Sequence, residues 1–136
     1  MARTPKPKPE ITITNIEVIQ PLLYIAAPYT VPDPVLNTNA VLRAATVIAE
    51  NTKWVPFIPH LTLLWHAVTP RPYEFWMELD RHYMFACRGF VRFPGESSGA
   101  DREMERAVRR HMEIVEFDWL PIEAQSIWKE RDYGEP

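Results

Sequence analysis

Short apolar runs alternate four times with stretches of helical periodicity, and this alternation constrains the fold more than any other feature of the chain. Each run has the length and composition of a strand that is buried on both faces of a sheet. Such alternation indicates parallel strands joined by right-handed helical crossovers, with helices packed on both faces. The sequence therefore predicts a three-layer α/β sandwich. The predicted strands are residues 22–26, 54–59, 90–93 and 114–117.

The segments between these runs predict the helices and loops of the fold. Apolar residues recur there at helical spacing along one face. Pro56 and Pro59 place the second strand at a sheet edge, or mark its ends, because proline cannot donate a hydrogen bond to a neighbouring strand. Residues 60–72 are predicted as a long loop. The predicted helices cover about residues 35–50, 73–86, 99–110 and 121–129.

The size and composition of the chain indicate one domain. A disordered tail rich in proline and lysine is predicted over residues 1–19, and a single domain over residues 20–136. The net charge of −3 argues against nucleic acid as a partner, since phosphate-backbone binders carry a basic excess. No apolar run reaches the roughly 18 residues of a membrane span, and the single cysteine, Cys87, fits the reducing cytoplasm. We therefore expect a cytoplasmic protein without a membrane partner.

Three predicted loops, residues 27–34, 60–72 and 94–100, each follow a strand. The carboxyl ends of parallel strands meet at one edge of a sheet, and ligands of such folds bind beyond that edge. The three loops should therefore converge on one rim, which is the expected ligand site.

The loop at residues 94–100 has the composition of an anion-binding turn. Its small residues let the backbone approach a ligand, and free N–H groups at the following helix start can hold a phosphate. Ser97 or Ser98 can cap that helix, and Glu103 lies in its first or second turn. From the local pattern alone, Glu103 is either an active-site acid or a carboxylate stabilised by the helix dipole.

Four other residues have the chemistry of a site, with different expectations for each. Asp80 lies midway along a predicted helix among apolar neighbours, so it faces either a cleft or a solvated boundary. His60 and His66 do not have the spacing of a metal motif, and we expect no metal site. Cys87 is expected as a buried helix-end residue, because the sequence places no base beside it.

Five segments, taken together in their order and spacing, carry a family resemblance. They are Leu23–Thr30, Asn39-Ala40, Pro56–Leu61, Trp76 with Asp80, and Pro94–Glu103. These segments resemble the nucleoside 2-deoxyribosyltransferase superfamily, and in particular a branch of bacterial and phage proteins largely without assigned function. The resemblance covers about residues 22–117.

The resemblance implies a flavodoxin-like fold with a mainly parallel sheet of four or five strands. It implies cleavage of the N-glycosidic bond of a deoxynucleotide through a covalent glycosyl–Glu103 intermediate, without a metal or redox cofactor. Hydrolysis of a deoxynucleoside 5′-monophosphate is favoured over transfer to another base, because Ser97 matches the hydrolases. Asp80 and Tyr24 complete the implied catalytic set. Implied substrate contacts are Ala27, Pro28, Tyr29, Asn39, His60, Gly95, Ser97, Ser98 and Gly99.

The family also implies a homodimer or larger homo-oligomer in which neighbouring subunits complete the pocket. The apolar segment at residues 119–128 offers surface for such an interface, or covers the last strand. Two positions depart from the family pattern: Arg88 stands in place of an Asp, and Glu105 in place of a Gly, where it can narrow the pocket or hold water. The alternatives to an enzyme are a non-catalytic nucleotide-binding or sensing module on the same fold, and a structural or interaction protein.

Overall fold

The structure is a computed structural model that describes residues 20–117. Strands and helices alternate along this part of the chain, and a single 3-10 turn at Pro59–Leu61 follows the second strand. The predicted tail at residues 1–19 and the predicted helix at residues 121–129 lie outside the described residues. The elements are β1 (Leu22–Ala26), α1 (Pro34–Asn51), β2 (Val55–Phe57), α2 (Thr62–Val68), α3 (Tyr73–Ala86), β3 (Gly89–Arg92), α4 (Ser98–Arg109) and β4 (Glu113–Ile114).

The four strands form one parallel sheet in the order β2-β1-β3-β4. The chain moves from β1 to β2 on one side and then crosses back to place β3 on the other side. The order therefore reverses between β1 and β3, which is the switch point where flavodoxin-like folds open a crevice. The parallel sheet is confirmed, and Pro56 lies in an edge strand as its missing N–H predicts.

β1 separates the two halves of the core, because its side chains alternate between the faces of the sheet. Leu23 and Ile25 point to one face and pack against the apolar side of α1. Tyr24 and Ala26 point to the other face, where they join side chains of α3 and α4. All four are almost completely buried. Helices thus cover both faces of the sheet, which confirms the three-layer flavodoxin-like sandwich.

Side-chain caps fix the starts of the two helices that follow β1 and β3. Asp33 accepts hydrogen bonds from the backbone N–H groups of Val35 and Leu36 at 2.7 and 3.1 Å, and Pro34 supplies a favoured first helical residue. Ser97 accepts from the N–H of Ala100 at 3.1 Å and so caps α4. The prediction that a serine caps this helix is confirmed, and the residue is Ser97.

Residues 60–72 are not one loop, and this prediction was wrong: they contain α2. The apolar residues of this short helix recur at helical spacing, but its start has no side-chain cap and none of its residues is buried. Longer helices are recognised by an apolar face that is buried and a polar face that is exposed. This seven-residue helix exposes its apolar face, so its sequence pattern does not predict it. The strand ends also shift: β2 is shorter than residues 54–59, β3 begins at Gly89, and β4 covers only Glu113–Ile114.

Candidate active site

A cavity of about 810 Å³ opens beyond the carboxyl ends of β1 and β3. Its walls come from the segment after β1, from the 3-10 turn with α2, from one face of α3, and from the loop and first turns of α4. The segments predicted to converge on one rim therefore line the same cavity. Of the residues implied as site residues, those lining it are Ala27, Pro28, Tyr29, His60, Asp80, Ser97, Ser98, Gly99 and Glu103.

Glu103 lines this cavity, and Tyr24, which does not itself line it, contacts Glu103 from the sheet. Tyr24 lies in the central strand β1 and points toward the face covered by α4, and Glu103 occupies the second turn of α4. The Tyr24 hydroxyl donates a hydrogen bond to Oε2 of Glu103. The Tyr24 ring is stacked between Phe57 and Phe90, each with its centroid 5.9 Å away, so the hydroxyl has a fixed direction. The pair therefore holds the carboxylate in one orientation.

Burial dominates the electrostatics of this pair. It raises the pKa of Glu103, although the Tyr24 hydrogen bond and the positive charges of Arg106, Arg92 and Arg102 act in the opposite direction. Burial, together with the negative charges of Glu103 and Asp80, raises the pKa of Tyr24 well above its ordinary value. Tyr24 consequently remains a neutral O–H donor at every physiological pH.

Asp80 presents a second carboxyl group to the cavity, from α3. Burial, and then the charge of Glu103, raises the pKa of Asp80 to about 7. Its Oδ1 atom is buried and has no hydrogen-bond partner among the described residues. Of the two alternatives left by the sequence, a cleft and a solvated boundary, the structure has the cleft. Two carboxyl groups in one cavity can serve as a nucleophile or base and as an acid when one is ionised and the other protonated.

His60 fixes the segment that follows β1. It is almost fully buried, and its Nε2 lies 2.8 Å from the carbonyl oxygen of Pro28. A carbonyl only accepts, so Nε2 carries a proton. Burial lowers the pKa of His60, and the Pro28 carbonyl offsets part of that effect. The ring of Tyr29 packs edge-on at 5.3 Å, which couples His60 to the cavity wall.

Asn37 is a supporting residue that the sequence analysis missed. It is buried on α1, and its amide nitrogen donates to the carbonyl oxygens of Tyr29 and Val31 at 2.8 and 3.0 Å. It therefore holds the segment after β1 in place. The only signal in the sequence was a polar residue on the apolar face of a predicted helix.

Some residues named from the sequence do not line the cavity. Asn39 is exposed on α1 and its side-chain oxygen accepts from Arg43 at 3.4 Å, because two positions along a helix turn it away from the face of Asn37. Cys87 is buried at the end of α3, where its thiol donates to the Tyr83 carbonyl and burial raises its pKa to about 11. It lies where the sequence predicts a buried helix-end residue.

Gly95 shapes the rim without lining the cavity. Its φ of +116° suits only glycine, and a Cβ there would lie 2.7 Å from Cγ of Pro28. Arg92 braces the same turn, donating to the Gly95 carbonyl at 2.8 Å and to Asp101 at 2.9 Å. The turn between β3 and α4 is therefore fixed from two sides.

The two departures from the family pattern lie away from the cavity. Arg88 precedes β3, at the opposite end of the sheet, where it lies 3.7 Å from Glu113 and over the ring of Trp54. Glu105 is exposed on α4 and is not part of the cavity wall. The expectation that Glu105 narrows the pocket was wrong, because position 105 points away from the face of α4 that carries Glu103.

Part of the wall was not anticipated. Met77 and Tyr73 share one face of α3 with Asp80 and Trp76, since these positions are three, four and seven residues apart. Helical spacing predicts these neighbours once one cavity residue on α3 is known. Other wall residues that were not anticipated include Leu63, His66, Arg71 and Arg102.

Within residues 20–117, no helix is long and apolar enough to cross a membrane, and no group of three or more His, Cys, Asp or Glu side chains is arranged to hold a metal ion. Comparison of the chain with models of known protein families, with curated proteins and with solved structures gives no significant match.

Proposed function

We propose that this protein cleaves the N-glycosidic bond of a deoxynucleotide through a covalent glycosyl–Glu103 intermediate, as its resemblance to the nucleoside 2-deoxyribosyltransferase superfamily implies. One observation carries the proposal. A buried carboxylate held by Tyr24 shares a cavity with Asp80, a carboxyl group whose pKa is raised to about 7. Enzymes that cleave glycosidic bonds with retention use such a pair, one group as nucleophile and the other as acid and then base.

The first step joins the sugar to the protein. The ionised Glu103 carboxylate attacks C1′, an oxygen–carbon bond forms, and the bond from C1′ to the base nitrogen breaks. The electron pair leaves with the base, which takes a proton from Asp80. The Tyr24 hydrogen bond keeps the attacking carboxylate aligned, because a rigid ring fixes its donor.

The second step frees the enzyme. Asp80, now a carboxylate, removes a proton from a water molecule that attacks C1′, and the bond from C1′ to Glu103 breaks with its electrons returning to the carboxylate. A second base in place of water gives transfer. We place hydrolysis of a 5′-monophosphate first, because the start of α4 offers Ser98, Gly99 and the side chain of Arg102 at the cavity wall.

Self-association is part of the proposal. α2 lies beside the cavity and exposes Leu64, Trp65 and Val68, at 74, 46 and 72% of their full area. Apolar side chains at this exposure are common where a second protein surface covers them. Light scattering on the full chain tests this proposal, and a monomer at 100 μM concentration, ~10² times that of a typical assay, would contradict it.

Base release tests the reaction. Wild type, Glu103→Ala and the matched control Glu105→Ala are incubated with the four deoxynucleosides and their 5′-monophosphates, and free base is separated by chromatography. We expect release by wild type and by Glu105→Ala, and a loss of about 10³-fold or more in Glu103→Ala. Equal rates in wild type and Glu103→Ala would refute the proposal.

The covalent step has its own test. A nucleotide with fluorine at C2′ slows both steps by withdrawing electrons from C1′, and a good leaving base restores the first step, so the intermediate accumulates. Mass spectrometry of the intact protein should then show the added sugar phosphate on wild type and none on Glu103→Ala. Tight nucleotide binding by calorimetry, without adduct and without base release, would instead establish the non-catalytic binding module.

A further inference from the structure

Two hydrogen bonds to the same ring nitrogen of His66 select one tautomer of the neutral ring. The indole N–H of Trp76 donates to Nδ1 at 2.8 Å, and the backbone N–H of Arg71 donates to it at 3.3 Å. A nitrogen that accepts from two donors cannot itself carry a proton. The proton of the neutral ring is therefore on Nε2. Within residues 20–117, Nε2 donates to no hydrogen-bond acceptor.

Aromatic rings in mutual contact form a wall beside His66. The Trp76 ring meets the rings of Trp65 and Phe75 edge to face, with centroids 5.2 and 4.9 Å apart. The His66 ring itself lies 5.5 Å from the Trp76 ring at a steep angle. These contacts fix the direction of the His66 ring, so its N–H is a preorganised donor.

Trp76 connects this wall to Asp80, one of the two proposed reacting groups. Trp76 is four residues before Asp80 on α3, so their side chains are neighbours on one helix face. His66, Trp76 and Asp80 all line the same cavity, together with the apolar side chains of Leu63 and Met77. This part of the cavity is therefore a largely apolar slot that carries the Nε2–H donor of His66, and Trp76 lies one helical turn from Asp80. Such a slot suits a planar heterocycle with a hydrogen-bond acceptor in its ring plane.

We propose that the Nε2–H of His66 selects the departing nucleobase by donating a hydrogen bond to a ring nitrogen or carbonyl oxygen of that heterocycle. This inference rests on the proposed function, because it takes the cavity to hold a nucleotide. As the bond to C1′ breaks, electron density moves onto the base, and an acceptor on the base becomes a stronger partner for the donor. His66 thus contacts the substrate and favours bases that carry such an acceptor.

Two substitutions separate the donor from the bonds that hold it. In His66→Asn the side-chain oxygen replaces Nδ1 and can still accept from Trp76 and Arg71, but nothing replaces Nε2–H. In His66→Gln the longer side chain carries an N–H donor to the position of Nε2. We expect kcat/KM for base release to fall about tenfold or more in His66→Asn and less in His66→Gln. The substrate is the deoxynucleoside 5′-monophosphate that wild type cleaves fastest.

Binding measurements keep this test separate from the proposed reaction. Calorimetric Kd values for the four monophosphates are measured in the Glu103→Ala background, with and without each His66 substitution, and with His82→Asn as the exposed control. We expect weaker binding with His66→Asn and no change with His82→Asn. Thermal unfolding of each variant establishes that it is folded.

Each outcome has a distinct meaning. If wild type releases no base but His66→Asn weakens binding, the proposed reaction fails and the role of His66 stands. If His66→Asn matches wild type in both kcat/KM and Kd, or if His66→Gln is the weaker variant, the role of His66 is overturned. Failure of every monophosphate to bind wild type at millimolar concentration overturns it too.

Discussion

The hydroxyl of Tyr24 donates to Oε2 of Glu103 although 79 residues separate them along the chain. Both side chains are anchored: Tyr24 by stacking in the sheet and Glu103 by its place on a capped helix. The bond is thus a property of how β1 and α4 pack, and it ties the central strand to the carboxylate of the cavity. It also has a measurable electrostatic consequence, since it acts against burial in setting the protonation of Glu103.

Tyr24→Phe should raise the pKa of Glu103. The substitution keeps the ring stacked between Phe57 and Phe90 but removes the hydrogen bond that lowers the pKa of the carboxyl group. Carboxyl-labelled NMR titration measures this pKa directly, and the acidic limb of the base-release profile should move to higher pH with it. Tyr83→Phe, on α3 and outside the cavity, serves as the control. An unchanged or lower pKa in Tyr24→Phe would contradict the prediction.

Wild type should lose stability as pH rises, because Asp80 ionises in the folded protein, and Asp80→Asn should not show this loss. Folding raises the pKa of Asp80 from an ordinary 3.8 to about 7, so between these values the folded state binds more protons than the unfolded state. The free energy of unfolding therefore falls from about pH 4 to about pH 7, by at most about 4 kcal/mol. Below pH 4 the stabilisation that protonated Asp80 gives the folded state is fully present. Asparagine does not titrate.

Urea denaturation at pH 4, 6 and 8 measures this effect. We expect the free energy of unfolding of Asp80→Asn, relative to that of wild type, to increase as pH rises, so that Asp80→Asn is the more stable protein at pH 8. Base release by this variant should be far slower than by wild type. Stability curves that run parallel from pH 4 to pH 8 would show that Asp80 does not carry the raised pKa.

Ser97→Ala should cost about 1 kcal/mol of stability, the typical value of a lost N-cap. Its hydroxyl accepts the hydrogen bond from the N–H of Ala100, which otherwise has no partner at the start of α4. Ser98 is the first helical residue and is exposed, so Ser98→Ala should change stability by less than about 0.5 kcal/mol. Chemical denaturation of both variants compares them, and an equal cost would place the cap elsewhere.

Gly95→Ala should destabilise the protein by about 1 to 3 kcal/mol. An alanine would have to adopt φ = +116°, with its Cβ only 2.7 Å from the Pro28 ring. The exposed neighbour Glu96→Ala is the control for the same turn. Combining Gly95→Ala with Pro28→Ala should cost less than the sum of the single changes, because the ring atom in contact is gone. Strict additivity would mean that backbone strain alone accounts for the cost.

The long elements of the fold were predictable because they carry a repeated signal. α3 has the predicted bounds, since many turns of amphipathic pattern follow a proline at residue 72. α2 was missed for the opposite reason: its apolar stripe, including Leu64 and Val68, faces solvent, so pattern and burial disagree. The approximate position of β4 was predicted, but the predicted strand was too long. An apolar run indicates burial and does not show where strand pairing ends.

The site was predictable only in part. Periodicity and turn residues placed three segments on one rim, yet the assignment of Tyr24 and Glu103 to one site came from a family resemblance, and their hydrogen bond was not predicted. No spacing rule joins residues that far apart. The raised pKa of Asp80 depends on burial in three dimensions. The bond from Trp76 to His66 joins two elements across a turn, and neither residue type signals it in advance.

The central position of β1 has a consequence for synthesis. This strand leaves the ribosome before both of its neighbours, and its buried residues have no partner strand until β2 and then β3 emerge. At about 5 to 20 residues per second, Tyr24 waits roughly 4 to 16 seconds for Glu103 to be made. During that interval the nascent chain exposes an apolar segment, and the cavity that Glu103 lines is incomplete. A ligand can therefore stabilise the finished domain but cannot guide its first steps of folding.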